Sequence, residues 1–346
     1  MMKQIIKHIR VLTTIIIMLL NLAFLVSCEK MVFEEETDNN PKNNFDFLWN
    51  EVDGKYAFLQ YKNVNWDSIY EIYSAKIYED IPEDSLFLVL GQMLNELRDG
   101  HVNLFSEFNI SRYDISLLGP VNIDERIVKE FYLGTNYYIT CCFEHNFIKG
   151  NQIGYIQISS FYYSEITEEE IDYLLNRYKD TKGLIIDIRQ NGGGYVTNVF
   201  YLLSLFSNDS RLLYSTQIKT GPDAEDFSTL SEVYSTPRDG ETYDGKIAIL
   251  TDRGSYSASS FFSVCTYAYD NVFLVGDTTG GGLGLPNGGQ LPNGWTYRFS
   301  ITRTIAVDGG NYESGVPPDY TVILDEDASQ TGIDNVIEFA SIRILE

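Results

Sequence analysis

The chain is poor in the residues that usually mark a functional site. Of 346 residues only three are histidine and four are cysteine. Neither Cys-x-x-Cys nor His-Glu-x-x-His spacing occurs, so no ligand set for a structural or catalytic zinc is present, and no metal or cofactor is expected. Four cysteines, two of them the neighbours Cys141 and Cys142, do not make a disulfide framework, and Cys141, Cys142 and Cys265 are expected in ordinary core packing. Basic residues are scarce as well. With 25 Lys and Arg against 49 Asp and Glu the formal charge is −24, which repels nucleic acid and argues against a polynucleotide partner. The glycine-rich turns lack the Lys-Ser/Thr ending of a phosphate-binding loop and the spacing of a dinucleotide fingerprint.

What is present is enough apolar and aromatic material, 44% and 14%, for one large domain and a smaller one. Residues 1–28 have a basic start, an apolar stretch from Val11 to Val26 and a small residue before Cys28, the layout of an export signal. The acidic segment 28–42 reads as a solvated tether. From 43 to 100 the periodicity is helical. Leu86, Leu90, Met93, Leu94 and Leu97 share one helix face, with Asp84 or Ser85 placed to cap its start and Gly100 to end it, and Asp67 is placed to cap a second helix. Residues 101–150 are richer in short β-like runs and turn signals. From 151 to 346 buried strands alternate with helices through special turns, the pattern of an α/β core with a largely parallel sheet.

Three turns carry possible chemistry. "ILTDRGSYSASSFF" (249–262) places four serines in six positions between an apolar strand and a helix. A serine there either caps the helix or serves as a nucleophile beside free backbone N–H groups. "QNGGG" opens another helix and offers unpaired N–H donors with no side chain in the way. "LRDGHVNLF" holds His101 at a helix-to-strand junction, whereas His145 in "FEHNFIKGNQ" reads as a solvated turn residue and His8 lies in the leader. Glu313 sits in a Gly- and Pro-rich loop, and Gly280–Gly294 with Trp295 are expected to border a groove.

The run "LRDGH", "GYIQISSF", "KGLIIDIRQNGGG", "ILTDRGSYSAS", "VGDTTGGG" and "ESGVPPD", in that order, resembles the serine peptidases that include the C-terminal processing (tail-specific) proteases and the tricorn core protease. The resemblance implies a crotonase-like α/β catalytic core with a small N-terminal helical subdomain, and a serine endopeptidase acting on polypeptides. It implies Ser257 as nucleophile, with an oxyanion hole from the backbone N–H groups of Gly193 and Ala258. The processing proteases activate their serine with a lysine, and Gly282 stands at that place here. The tricorn-like branch uses a histidine matching His101 and a glutamate matching Glu313, while its serine before the histidine is Gly100 here. With His101 as base, activity is expected to fall below a pH of about 6 to 7. The segment after His101 is too short for the PDZ domain the family often inserts. "LVSC" resembles a lipobox, which implies lipidation of Cys28 and anchoring to the outer membrane of a bacterial cell envelope. The alternative on the same fold is an inactive lipoprotein that binds apolar ligands or peptides.

Overall fold

The computed structural model describes residues 38–162 and 165–346. Cys28, the leader 1–27 and most of the tether lie outside the described residues. The centre of the molecule is a seven-stranded sheet in the order β14-β10-β9-β6-β5-β4-β3. Its strands are β3 (Tyr138–Thr140), β4 (Phe143–Ile148), β5 (Ile153–Ile158), β6 (Gly183–Asp187), β9 (Lys246–Thr251), β10 (Val272–Gly276) and β14 (Tyr320–Thr321). Pairing is parallel from β5 to β14 and antiparallel at β4 and β3, so the α/β class expected from the sequence is the class observed.

The apolar runs are continuous because both faces of this sheet are covered. Ile156, Ile158, Leu184, Ile186, Ile247 and Ile249 share a core with Leu174, Val199 and Phe262. These three lie on helices α4 (Glu168–Tyr178), α5 (Val196–Leu203) and α6 (Ala258–Cys265). The alternate residues Ile153, Tyr155, Ile185, Ala248 and Leu250 face Val336, Ile337, Ala340 and Ile344 of helix α7 (Asn335–Leu345). Alternation of side chains along each strand thus feeds two cores. A three-stranded sheet of β7 (Leu212–Ile218), β8 (Ser231–Tyr234) and β13 (Thr302–Ala306) flanks the first core.

The N-terminal segment forms helices α1 (Pro41–Lys55), α2 (Trp66–Ser74) and α3 (Glu83–Asn95). The expected apolar face of α3 is buried. The caps differ from expectation. Asn65 caps α2 through Ser68 N–H, α3 begins after Pro82 without a side-chain cap, and it ends at Asn95, before a turn that carries Asp99 and Gly100. These helices do not make a core alone. Phe45, Leu48, Phe87 and Leu90 pack with Tyr297 and Phe299 of the four-stranded antiparallel sheet β11-β12-β1-β2 and with Leu291 and Trp295 of the turn between its first two strands. That sheet comprises β1 (Asn103–Phe105), β2 (Ile110–Arg112), β11 (Pro286–Gln290) and β12 (Thr296–Ser300). Trp295, expected at the groove, instead packs edge-on against Phe87 with ring centroids 5.3 Å apart.

His145 also departs from the solvated turn expected of it. It sits in β4, fully buried, with Nδ1 2.7 Å from Tyr178 Oη and Nε2 3.0 Å from Thr140 Oγ1. The polar sequence around it misled because the strand pairs on both sides and turns this one side chain inward. Burial, then the nearby Arg177 guanidinium, pushes its pKa down to about 4. A histidine that stays neutral when folded and protonates when unfolded stabilises the fold fully above pH 6.5, and loses that contribution as pH falls toward 4. The expected loss from pH 7 to pH 5 is roughly 1–3 kcal/mol of unfolding free energy, at about 1.4 kcal/mol per unit. His145→Gln should flatten that part of the profile in urea titrations; an unchanged slope would remove His145 as its source.

Candidate active site

Adjacent parallel pairing of β6 and β9 brings their C-terminal ends together, and the turn after each strand opens a helix. Asp252 ties the two turns. Its Oδ1 accepts from Gln190 N at 2.8 Å and Gly254 N at 3.0 Å, and its Oδ2 accepts from Gln190 Nε2 at 2.7 Å. Ser255 Oγ donates to Ile188 O at 2.8 Å, and Tyr256 N donates to Asn191 O at 3.0 Å.

The serine run then resolves by geometry. Ser255 and Ser260 use their hydroxyls inside the turn, and Ser259 is buried in α6. Ser257 sits before the first residue of α6 with φ 57° and ψ −119° and makes no side-chain cap. A non-glycine residue at such an angle is strained by the order of 1–3 kcal/mol and persists only where its surroundings hold it. Here Ser257 N donates to Gly281 O at 2.9 Å, and its own carbonyl accepts from Phe261 N at 2.8 Å. The hydroxyl is thereby turned out of the turn, 2.8 Å from His101 Nε2.

His101 is held from its other side. Its Nδ1 lies 3.5 Å from Ser300 Oγ, and the ring bonds to the backbone of Gly284. With Nδ1 protonated, Nε2 carries the lone pair that faces Ser257. Burial is the main cause that lowers the imidazole pKa below 6.5; Asp99 opposes it, and Arg298 and Lys62 add to it.

Behind the ring lies a buried charge cluster. Asp99 Oδ1 accepts from His101 N at 2.8 Å and Tyr256 Oη at 3.2 Å, and its Oδ2 accepts from Tyr56 Oη at 2.8 Å and Ser300 Oγ at 3.3 Å. Lys62 Nζ stands 3.5 Å from Asp99 and 3.9 Å from Glu313 Oε1. Glu313 Oε2 accepts from Leu283 N at 2.7 Å and Gly284 N at 3.0 Å. Glu313 makes no hydrogen bond to the imidazole among the described residues. It secures the turn whose next carbonyl, that of Gly284, faces the ring.

The two carboxylates titrate in opposite directions. Burial, then repulsion by Asp99, pushes Glu313 up to about 8. Burial alone would raise Asp99 too, but Lys62, His101 and the Tyr56 hydroxyl outweigh it and hold its pKa below the usual range. Near neutral pH the negative charge therefore resides on Asp99 and the proton on Glu313.

Both departures from the family pattern have steric causes. A Cβ on Gly282, already at φ +75°, would lie 2.4 Å from the Tyr256 ring, so no lysine fits there. One on Gly100 would lie 2.4 Å from Ile115 and 3.0 Å from Tyr256 Oη. Ser300, from another strand, supplies a hydroxyl beside the imidazole instead. Neither Asp99 nor Ser300 emerged from the sequence as a site residue. Asp99, two positions before His101 in "LRDGH", was the available signal; Ser300 had none.

Ala258 N lies at the start of α6, next to Ser257. The Gly193 N–H donates to Asn191 Oδ1 at 2.9 Å, so it is occupied within its own turn. Gly192 and Gly194 on either side line the same cavity as Ser257 and Ala258. That cavity measures about 730 Å³, with Val196, Phe261, Leu283 and Leu285 as apolar walls and Arg112, Arg298 and Tyr162 at its rim.

A serine on a strained strand-to-helix turn, paired with an oriented histidine in an α/β scaffold, is the arrangement of a nucleophilic hydrolase site. The comparisons narrow the class. Residues 152–322 match the family model for peptidase family S41, and residues 37–95 match that of the tricorn protease C1 domain. A crystal structure of a candidate peptidase from Parabacteroides merdae is 36% identical, with a TM-score of 0.84 over 89% of this chain and 98% of that one. The chain belongs to peptidase family S41. Carboxy-terminal processing protease CtpB of Bacillus subtilis is 29% identical over 188 residues, 49% of this chain and 37% of CtpB. The matched region thus spans little more than a third of that relative. Mature CPAF, at 12% identity and TM-score 0.63 over 87% of this chain and 95% of that one, shares the fold.

The proton assignment has a direct consequence. Glu313→Gln, which mimics the protonated acid, should unfold within about 1 kcal/mol of the parent at pH 7, whereas Asp99→Asn, which leaves Lys62 facing no charge, should lose about 3 kcal/mol or more. Chemical denaturation of both variants decides this; the reverse order would place the charge on Glu313.

Proposed function

We propose that the protein is a serine endopeptidase that hydrolyses peptide bonds of polypeptides through an acyl-enzyme on Ser257. The observation that carries this reading is the 2.8 Å contact between Ser257 Oγ and a buried His101 Nε2. His101 takes the hydroxyl proton as Ser257 attacks the scissile carbonyl carbon, then delivers it to the leaving amine; water repeats the sequence to free the acid. The Ala258 N–H, with Gly192 or Gly194 rather than the occupied Gly193, receives the carbonyl oxygen as it becomes an oxyanion. Asp99, through Ser300 and across the short gap to the ring, stabilises the imidazolium, and Glu313 acts on the ring only by securing the Gly284 turn.

The inactive carrier reading is weaker, because a carrier has no use for a strained serine with a histidine at hydrogen-bond distance. The lipobox-like "LVSC" supports attachment of lipid at Cys28 and tethering to the outer membrane. Incorporation of labelled palmitate that is lost in Cys28→Ala tests this part independently.

A serine-directed phosphonate should label the protein on Ser257 and stop peptide hydrolysis. Ser257→Ala and His101→Ala should each lower kcat/KM by about 10³-fold or more. Because His101 must be neutral to act and its pKa is lowered, the acid limb of kcat/KM should fall at a pH below 6.5, lower than an unperturbed histidine gives. An unlabelled Ser257, or an acid limb that falls above pH 6.5, would overturn the mechanism.

A further inference from the structure

The cleft contains a charge that no ion pair among the described residues takes up and that the proposed chemistry feels only as a contribution to the lowered His101 pKa. Across the four-stranded sheet, Arg298, Asn103 and Arg112 lie in one row on β12, β1 and β2. Directly opposed residues share a face, and both arginines line the cavity that holds Ser257 and His101. Asn103 is buried, and its amide is oriented by donation from Nδ2 to Val102 O at 2.8 Å. Its Oδ1 therefore points outward and accepts from Arg298 Nε at 2.7 Å. An uncharged tether at Nε fixes the guanidinium in direction and leaves its charge whole at the lining of the cleft.

That arrangement is unexpected in a chain with 49 acidic and 25 basic residues. Neither Arg298 nor Arg112 belongs to any ion pair among the described residues. Asp114, which also lines the cleft, feels the charge of Arg112, so Arg112 is partly balanced on its own hairpin. Arg298 is not. A planar, oriented guanidinium without a carboxylate partner is built to receive one, in a two-point contact.

We propose that Arg298, oriented by Asn103 and assisted by Arg112, forms a subsite for a carboxylate of the polypeptide substrate. This rests on the reading of Ser257 as a peptidase nucleophile and adds the class of substrate: peptides with an acidic side chain near the scissile bond. Among cleft residues the row is the specificity element, and the apolar wall of Val196, Phe261 and Leu283 takes the neighbouring side chain.

The test uses the full chain and fluorogenic peptides that differ only by Glu, Gln or Lys at each position around the scissile bond, each with a free and an amidated C-terminus. A Glu peptide should exceed its Gln twin in kcat/KM by about tenfold at one position. A preference that appears only with the free C-terminus identifies the terminal carboxylate instead and overturns the side-chain class. In Arg298→Gln the ratio should collapse toward one, and in Arg298→Glu the Lys peptide should become the favoured one. Fluorescence anisotropy of the same peptides on Ser257→Ala measures the subsite without turnover. If no peptide is hydrolysed but the Glu peptide binds Ser257→Ala more tightly than its Gln twin and Arg298→Gln removes the difference, the subsite stands and the peptidase reading falls. Equal treatment of the Glu, Gln and free-end peptides, or a preference that survives in Arg298→Gln, overturns the subsite.

Discussion

Everything at the site depends on two strand ends being side by side. Once β6 and β9 pair in parallel, their following turns must share one small volume, and Asp252 satisfies backbone donors from both. Removing such a buried carboxylate would leave those N–H groups without partners, at about 1–3 kcal/mol each. The strain at Ser257 is affordable only against that frame. The same frame presents the Gly192–Gly194 turn to the serine, so nucleophile and amide donors are fixed by one piece of backbone.

Much of this was legible beforehand, for identifiable reasons. "GLIID" and "KIAIL", apolar on both faces and each followed by a special turn and a helix, read as strands of a largely parallel sheet, which puts the glycine and serine turns after them at one end of it. The order of six short motifs then indicated Ser257 and His101, which the structure brings together. Glu313 was placed near the site, but its part is different, because a loop's hydrogen-bond direction is invisible in sequence. The hydrogen bond of Gly193 was hidden for a related reason: whether an N–H is free depends on Asn191, two residues away, turning its side chain back. Trp295 was misplaced because its ring packs on Phe87 and Phe108, far along the chain, and His145 because pairing with the two neighbouring strands turns it toward Tyr178 and Thr140.

The charge cluster behind His101 shows how one chain compensates for what its relatives' pattern leads one to expect. Tyr256 fills the space a lysine at 282 would need and at the same time donates to Asp99. Ser300 stands beside Nδ1, where a residue at 100 has no room for a side chain. The carboxylate that keeps its charge is the one two positions before the histidine, and its neutralising cation, Lys62, arrives from the N-terminal helical segment. A helical layer that reads as an accessory is therefore electrostatically part of the site.

That layer also sets when the site can exist. Helix α1 is locked to the strands near 293 by Asn44, which accepts from Asn293 N at 3.0 Å, and Tyr61 reaches the loop of Glu313. A ribosome releasing this polypeptide frees Lys62 and His101 well before the 281–316 loops. Until then the histidine has no ordered ring contacts and the serine no strained turn to occupy. The reactive groups thus become one site only when the N-terminal helical layer and the 281–316 loops have met.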